Sequence, residues 1–152
     1  MGTMTRFAKV LATVLAAGAV SVVAPTAAHA AEYGCAGNLI DTYAVKSETG
    51  NVTLSTIRLY YNADTGRNCA VNLKAAAYQA SRSQIDISIY TNDFREDDNN
   101  RPGINNDFDS GNFYEYAGPA SVIGKGKCIS LHARTWAGGK RGSRSVGGVH
   151  CG

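Results

Sequence analysis

The chain is short of the residues that most enzyme chemistry needs. Its 152 residues include three histidines, three prolines and one tryptophan. One histidine, His29, lies in the N-terminal leader, so only His132 and His150 remain to act as bases or ligands. No G-x-S-x-G segment appears, which excludes a nucleophile elbow. No C-x-x-C pair appears either, which removes the usual frame of a structural zinc site. Internal repeats and Pro/Ser-rich linkers are absent. One run has helix-forming composition, LKAAAYQAS (73–81), and it is too short to stand alone. It reads as a strand end plus a connection. These absences leave no catalytic residue to name, and no cofactor is expected.

What is present begins with an address. Arg6 and Lys9 precede an apolar run from Val10 to Val23, Pro25 breaks it, and Ala28-His29-Ala30 gives the small-x-small pattern of a signal-peptidase site. The run is shorter than the roughly 20 residues a membrane span needs. Cleavage after Ala30 is expected to remove residues 1–30 and leave residues 31–152 as one small secreted domain without a membrane span. Two of the fifteen basic residues leave with the leader, so the mature net charge is +1. That balance hides an asymmetry. Residues 86 to 115 carry eight acids and residues 122 to 152 carry six bases and no acid. All four cysteines, Cys35, Cys69, Cys128 and Cys151, are mature, and an even count in an exported chain implies two disulfides. Of the three pairings, Cys35–Cys69 with Cys128–Cys151 is preferred, because each then ties a terminal segment to a nearby strand.

Strand signals dominate the mature chain. LIDTYAV (39–45) is rich in β-branched residues. NVTLSTIRLYYN (51–62) alternates but changes phase near Ser55-Thr56, which predicts a bulge there. ADTGR supplies a hairpin loop with Gly66 free to take a positive φ. NCAVNLK (68–74) puts Cys69, Val71 and Leu73 on one face. QIDISIYT (84–91) is the cleanest strand, with Ile85, Ile87 and Ile89 inward and Asp86, Ser88 and Tyr90 outward. NFYEYAG, ASVIG and KCISLHARTW (127–136) follow, and SRSVGGVHCG closes the chain as a last strand. The expected fold is all-β, a small disulfide-stabilised antiparallel sandwich or barrel.

Four groups of residues are candidates for chemistry. The segment FREDDNNRPGINNDFDSG (94–111) holds five carboxylates. An EF-hand register started at Asn105 puts Ser110 sixth and Tyr116 twelfth, where glycine and a carboxylate belong, so it fails. Asp97, Asp98, Asp107 and Asp109 remain a weak calcium candidate, and the plainer expectation is a surface loop without a metal. Among the aromatics, Tyr90, Tyr114, Tyr116 and Trp136 could stack on sugars or anchor a partner. Arg134, Lys140, Arg141 and Arg144 gather around a Gly-rich turn as a basic patch. His132 and His150 would serve a small hydrolase only within hydrogen-bond reach of a carboxylate or hydroxyl.

Several spaced segments resemble a known family. YGCAG after the leader, LYYNADTGRNCAVNL, YAGPASVIGKGKCISL and the terminal HCG are similar to the small secreted spore-associated proteins, of the spore-associated protein A type, from sporulating filamentous bacteria. The resemblance covers most of residues 33 to 152. The chain differs from that pattern at 92 to 111 and in ISLHARTWAGG after Cys128. It implies a secreted, spore-associated protein with no established activity and no catalytic residues to carry over. The expectation is therefore a non-catalytic extracellular protein of the spore or cell surface. The alternatives are a module binding wall polymer, carbohydrate or a protease, and a small secreted hydrolase. Partners would be spore or wall polymer or further copies of the chain; no nucleic acid is expected.

Overall fold

A computed structural model describes residues 31–91 and 105–152. Eight strands make two antiparallel four-stranded sheets that face each other. In chain order they are β1 (Asn38–Lys46), β2 (Thr53–Asn62), β3 (Arg67–Lys74), β4 (Ser83–Thr91), β5 (Asn106–Phe113), β6 (Tyr116–Ile123), β7 (Ile129–Ala137) and β8 (Lys140–Val149). The first sheet runs β1-β2-β3-β6 and the second β5-β4-β7-β8. The all-β sandwich is thus realised. The helix-forming run contributes only a 3₁₀ turn, Ala76–Tyr78, where the chain crosses between sheets.

The apolar core follows the alternation. Ile57 and Leu59 from β2, Ile85, Ile87 and Ile89 from β4, and Ile129, Leu131 and Ala133 from β7 are fully buried. Strand β3 departs from it. Its Cys69 and Val71 do share a face, but that face points away from the sandwich, into a second cluster with Cys35 and Tyr60. The face toward the core carries Asn68, Ala70, Asn72 and Lys74, all buried. Asn72 Nδ2 donates across the sandwich to the carbonyls of Asp86 (2.9 Å) and Arg134 (3.3 Å) and to Thr135 Oγ1 (3.0 Å), which also bonds Ser55 Oγ at 2.6 Å. Lys74 Nζ donates to the carbonyls of Phe113 and Ser81 at 2.6 and 3.0 Å. Polar side chains here bolt one sheet to the other.

Three boundaries correct the sequence reading. The bulge expected at Ser55-Thr56 lies one residue earlier. Val45 pairs with Ser55 and Lys46 with Thr53, leaving Leu54 as the extra residue. NFYEYAG is not one strand: it turns at Tyr114-Glu115, and β6 continues through Gly118-Pro119 rather than breaking there. The expected surface loop at 94–111 is also partly strand. Residues 94–104 lie outside the described residues, but β5 pairs along the whole of β4.

The reason the β5 signal was hidden is chemical. Its inward positions are Asp107, Asp109, Gly111 and Phe113, so the half-buried face is mostly polar. Asp109 Oδ2 accepts the Gly118 N–H at 2.7 Å and Asp107 Oδ2 accepts that of Ser121 at 2.8 Å. Two carboxylates thereby satisfy the free edge of β6, which would otherwise be open to pairing. On the opposite side a bridge between Ser47 and Gly142 and a bond from Glu48 N to Arg141 O close β1 against β8.

Both expected disulfides are present, Cys35–Cys69 and Cys128–Cys151. The first holds the N-terminal segment on the outer face of the first sheet. There Tyr33 packs edge-on to Tyr116, and Glu32 accepts bonds from Arg58 and the Tyr60 hydroxyl. Burial, and then the bond to Glu32, push the Tyr60 hydroxyl up to about 12. Among the described residues no helix is long and apolar enough to cross a membrane.

Candidate functional site

The outer face of the second sheet collects side chains that the sequence scatters over 60 positions. Strand alternation sends Gln84, Asp86, Ser88 and Tyr90 of β4 and Ser130, His132, Arg134 and Trp136 of β7 to the same side. Register then sets the rows. Phe108, Ser88, His132 and Ser145 form one, and Ser110, Asp86, Arg134 and Ser143 the next. Trp136 stands directly opposite Arg141. The acidic β4–β5 half and the basic β7–β8 half are therefore not two faces but neighbours in one sheet.

Trp136 is the centre of this surface. Arg134 donates from Nε to Asp86 Oδ2 at 2.8 Å, and its guanidinium carbon lies 5.6 Å from the Trp136 ring centroid. Arg141, on the other side of Trp136, donates from Nε to Glu48 Oε1 at 2.7 Å. Both arginine side chains are about half exposed or more, at 52% and 65%. In each case the carboxylate takes the inner nitrogen. Among the described residues the two outer nitrogens have no partner, so each arginine is oriented yet keeps its donor fork toward solvent. Depressions of about 300 Å³ flank the ring on both sides. One is lined by Glu48, Arg134, Arg141 and Ser143, the other by Ser83, Gly138, Gly139 and Lys140.

The tight β7–β8 hairpin makes this arrangement. Ala137 pairs with Lys140 across only Gly138 and Gly139, whose φ values are +55° and +71°. Two successive positive φ angles define the hairpin turn that glycine permits. The turn places Lys140 and Arg141 beside Trp136 rather than a loop's length away.

The other sequence candidates divide. Within the basic patch, Arg134 and Arg141 are ion-paired, and Lys140 and Arg144 have no acid partner among the described residues. Arg144 lies across from Ala133, toward Tyr43, not in the Trp136 cluster. Tyr90 is half-buried on the same outer face. Tyr116 belongs to the N-terminal cluster and is unavailable as a platform. Tyr114 is 54% exposed at the β5–β6 turn with Arg82 over its ring. Of the calcium candidates, Asp97 and Asp98 lie outside the described residues, and Asp107 and Asp109 hold the β6 edge. Among the described residues no three histidine, cysteine or acidic side chains converge for a metal.

Each histidine does reach a polar partner. His132 Nδ1 is 3.0 Å from Ser145 Oγ, and His150 Nε2 is 3.2 Å from Asp41 Oδ2. The first pair sits on an open sheet face, and among the described residues no carboxylate orients the His132 ring. In the second, Asp41 Oδ2 also accepts the Tyr43 hydroxyl at 2.6 Å. That bond is the main cause holding the Asp41 carboxyl below its usual range. Burial and Asp41 together push the Tyr43 hydroxyl up to about 12.

The sequence reading missed Asp86 and Glu48 as the groups that aim the arginines. Asp86 carries a signal, since it shares the outward phase of its strand. Glu48 carries none, because its contact arises from the β1–β8 closure. The chain matches no known family model, no curated protein and no solved structure.

Proposed function

We propose that the mature domain is a non-catalytic extracellular protein of the spore or cell surface that holds an anionic wall polysaccharide on its Trp136 face. The observation that carries this is the pair of guanidiniums beside one indole, each anchored through Nε with its outer nitrogens presented to solvent. An indole face stacks on the apolar face of a sugar ring, and a forked guanidinium matches a carboxylate in two-point fashion. Lys140, which lines one of the depressions and has no acid partner among the described residues, adds charge and favours a polyanion further. The leader, the two disulfides and the spore-associated resemblance support a place outside the cell. Carboxylate-bearing wall sugars are the ligand class that combines a stacking face with regular negative charge.

Sedimentation of the mature protein with purified wall material tests this reading. Binding should weaken steeply between physiological salt and 1 M, where the screening length falls from about 8 to about 3 Å. Trp136→Ala and Arg141→Ser should each reduce affinity about tenfold or more, the loss expected of a central anchor. Undiminished binding by both variants refutes the assignment.

A further inference from the structure

The far end of the sandwich holds a second cavity that the Trp136 reading does not use. Strand β7 spans about 26 Å from Ile129 to Ala137, at about 3.3 Å per step. Trp136 lies at one end of it. At the other, a cavity of about 340 Å³ opens between Ile40 and Tyr61 of the first sheet, the loop Gly124–Gly126, and the tail His150–Gly152. This is the low end of the size range for small-molecule sites, about 300–1,000 Å³, and it suits one sugar-sized ligand rather than a chain.

Its floor is the unusual part. Asn68 is only 3% exposed, lines the cavity, and among the described residues its carboxamide has no hydrogen-bond partner. Its carboxamide atoms keep contact with the solvent of the cavity, so a ligand there can pair with them. The position is built for it. Gly124 passes so close to Asn68 Oδ1 that any Cβ there would collide with it. That contact holds the carboxamide against the loop that forms one wall of the cavity.

The walls are fixed as well. The Cys128–Cys151 disulfide pins the tail against the loop, and the bond between His150 and Asp41 sets one side of the rim. Tyr61 supplies an aromatic wall, and Ile40, 36% exposed, an apolar lip. Lys125 is one cation, and Asp41 already faces His150, so the site is not a strong anion trap. An amide donor at the bottom, an aromatic side and an aliphatic lip fit a neutral group with a carbonyl beside a methyl.

We infer that this cavity is a binding site for a single N-acetylated sugar residue. Its acetamide carbonyl accepts from Asn68, its methyl meets Ile40, and its ring lies along Tyr61. This site is independent of the Trp136 face, and each can be lost without the other.

The test is an NMR titration of the ¹⁵N-labelled mature protein with N-acetylglucosamine and, separately, glucose. N-acetylglucosamine should shift the Gly124 and Gly126 amides and the Asn68 carboxamide saturably in the millimolar range, leaving the Trp136 indole unmoved. Glucose, lacking the acetamide, should bind at least about fivefold more weakly, and Asn68→Leu should weaken N-acetylglucosamine about tenfold. Ile40→Lys, at the exposed lip, provides the same loss if Asn68→Leu fails to fold. No saturable shift at these amides, or equal affinity for the two sugars, overturns the inference. The loss of wall binding expected of Trp136→Ala does not depend on either result, so the two readings fail separately.

Discussion

Asn72 offers the sharpest test of how this sandwich is held. Its carboxamide faces three acceptors: the carbonyls of Asp86 and Arg134 and the Thr135 hydroxyl oxygen. Its own Oδ1 has no partner among the described residues. Two substitutions, one that removes the polar group and one that keeps its shape, separate packing from donation. Asn72→Leu removes the donors and leaves acceptors that retain other bonds, so it should cost about 1–3 kcal/mol. Asn72→Asp keeps the shape but aims a buried carboxylate at three acceptors, with no cation in the network. It should cost more, about 3–5 kcal/mol at neutral pH, as an uncompensated buried charge does. The introduced carboxyl would have a raised folded-state pKa, so its penalty should shrink as pH falls and the protonated group regains a donor. Urea unfolding of the three proteins at pH 7 and pH 5 measures all of this. If Asn72→Asp is as stable as Asn72→Leu at pH 7, the donor network does not bind the sheets and the account is wrong.

Three further outcomes are expected. Replacing Cys128 and Cys151 with Ser should cost about 3–4 kcal/mol in the chain-entropy model, and hydrogen exchange should show β8 opening before the remainder. Retained protection throughout β8 would show that the closure against β1 suffices. Asp109→Ala should cost about 1–3 kcal/mol by orphaning the Gly118 amide, and the opened β6 edge should make the protein associate with rising concentration in analytical ultracentrifugation. Burial holds the Lys74 ammonium below its usual pKa. Between that lowered value and the unfolded 10.5 the unfolded chain binds more protons, so stability gains from this group as pH rises. Thermal unfolding from pH 7 to 10 should therefore show the advantage of Lys74→Met over the native protein, or its deficit, moving in the native protein's favour as pH rises; a constant difference would exclude that titration.

Much of the architecture was legible because it rests on local chemistry. Ile85, Ile87 and Ile89 announce β4 by alternation alone, and Gly66 and Gly138-Gly139 fix their hairpins because few other residues take positive φ there. The cysteine pairing followed from the positions of the termini. Strand β5 was obscured because its inward aspartates satisfy backbone amides of a strand that sequence does not show to be adjacent. For the same reason Asn68, Asn72 and Lys74 gave no sign of facing the core: a polar residue in a strand reads as outward unless its partners across the sheets are known.

The sequence by itself determined an all-β chain with two crosslinks and one tryptophan, since these depend on composition, period and short motifs. Tertiary structure alone decided which side chains meet. The register of β4, β7 and β8 put Asp86, Arg134, Trp136 and Arg141 on one surface, and the closure of β1 on β8 brought Glu48 to Arg141. The Cys128–Cys151 tie folded the tail over Asn68 to make a cavity from residues more than 80 positions apart. Such sites depend on distances between strands remote in sequence, and only pairing and packing set those distances.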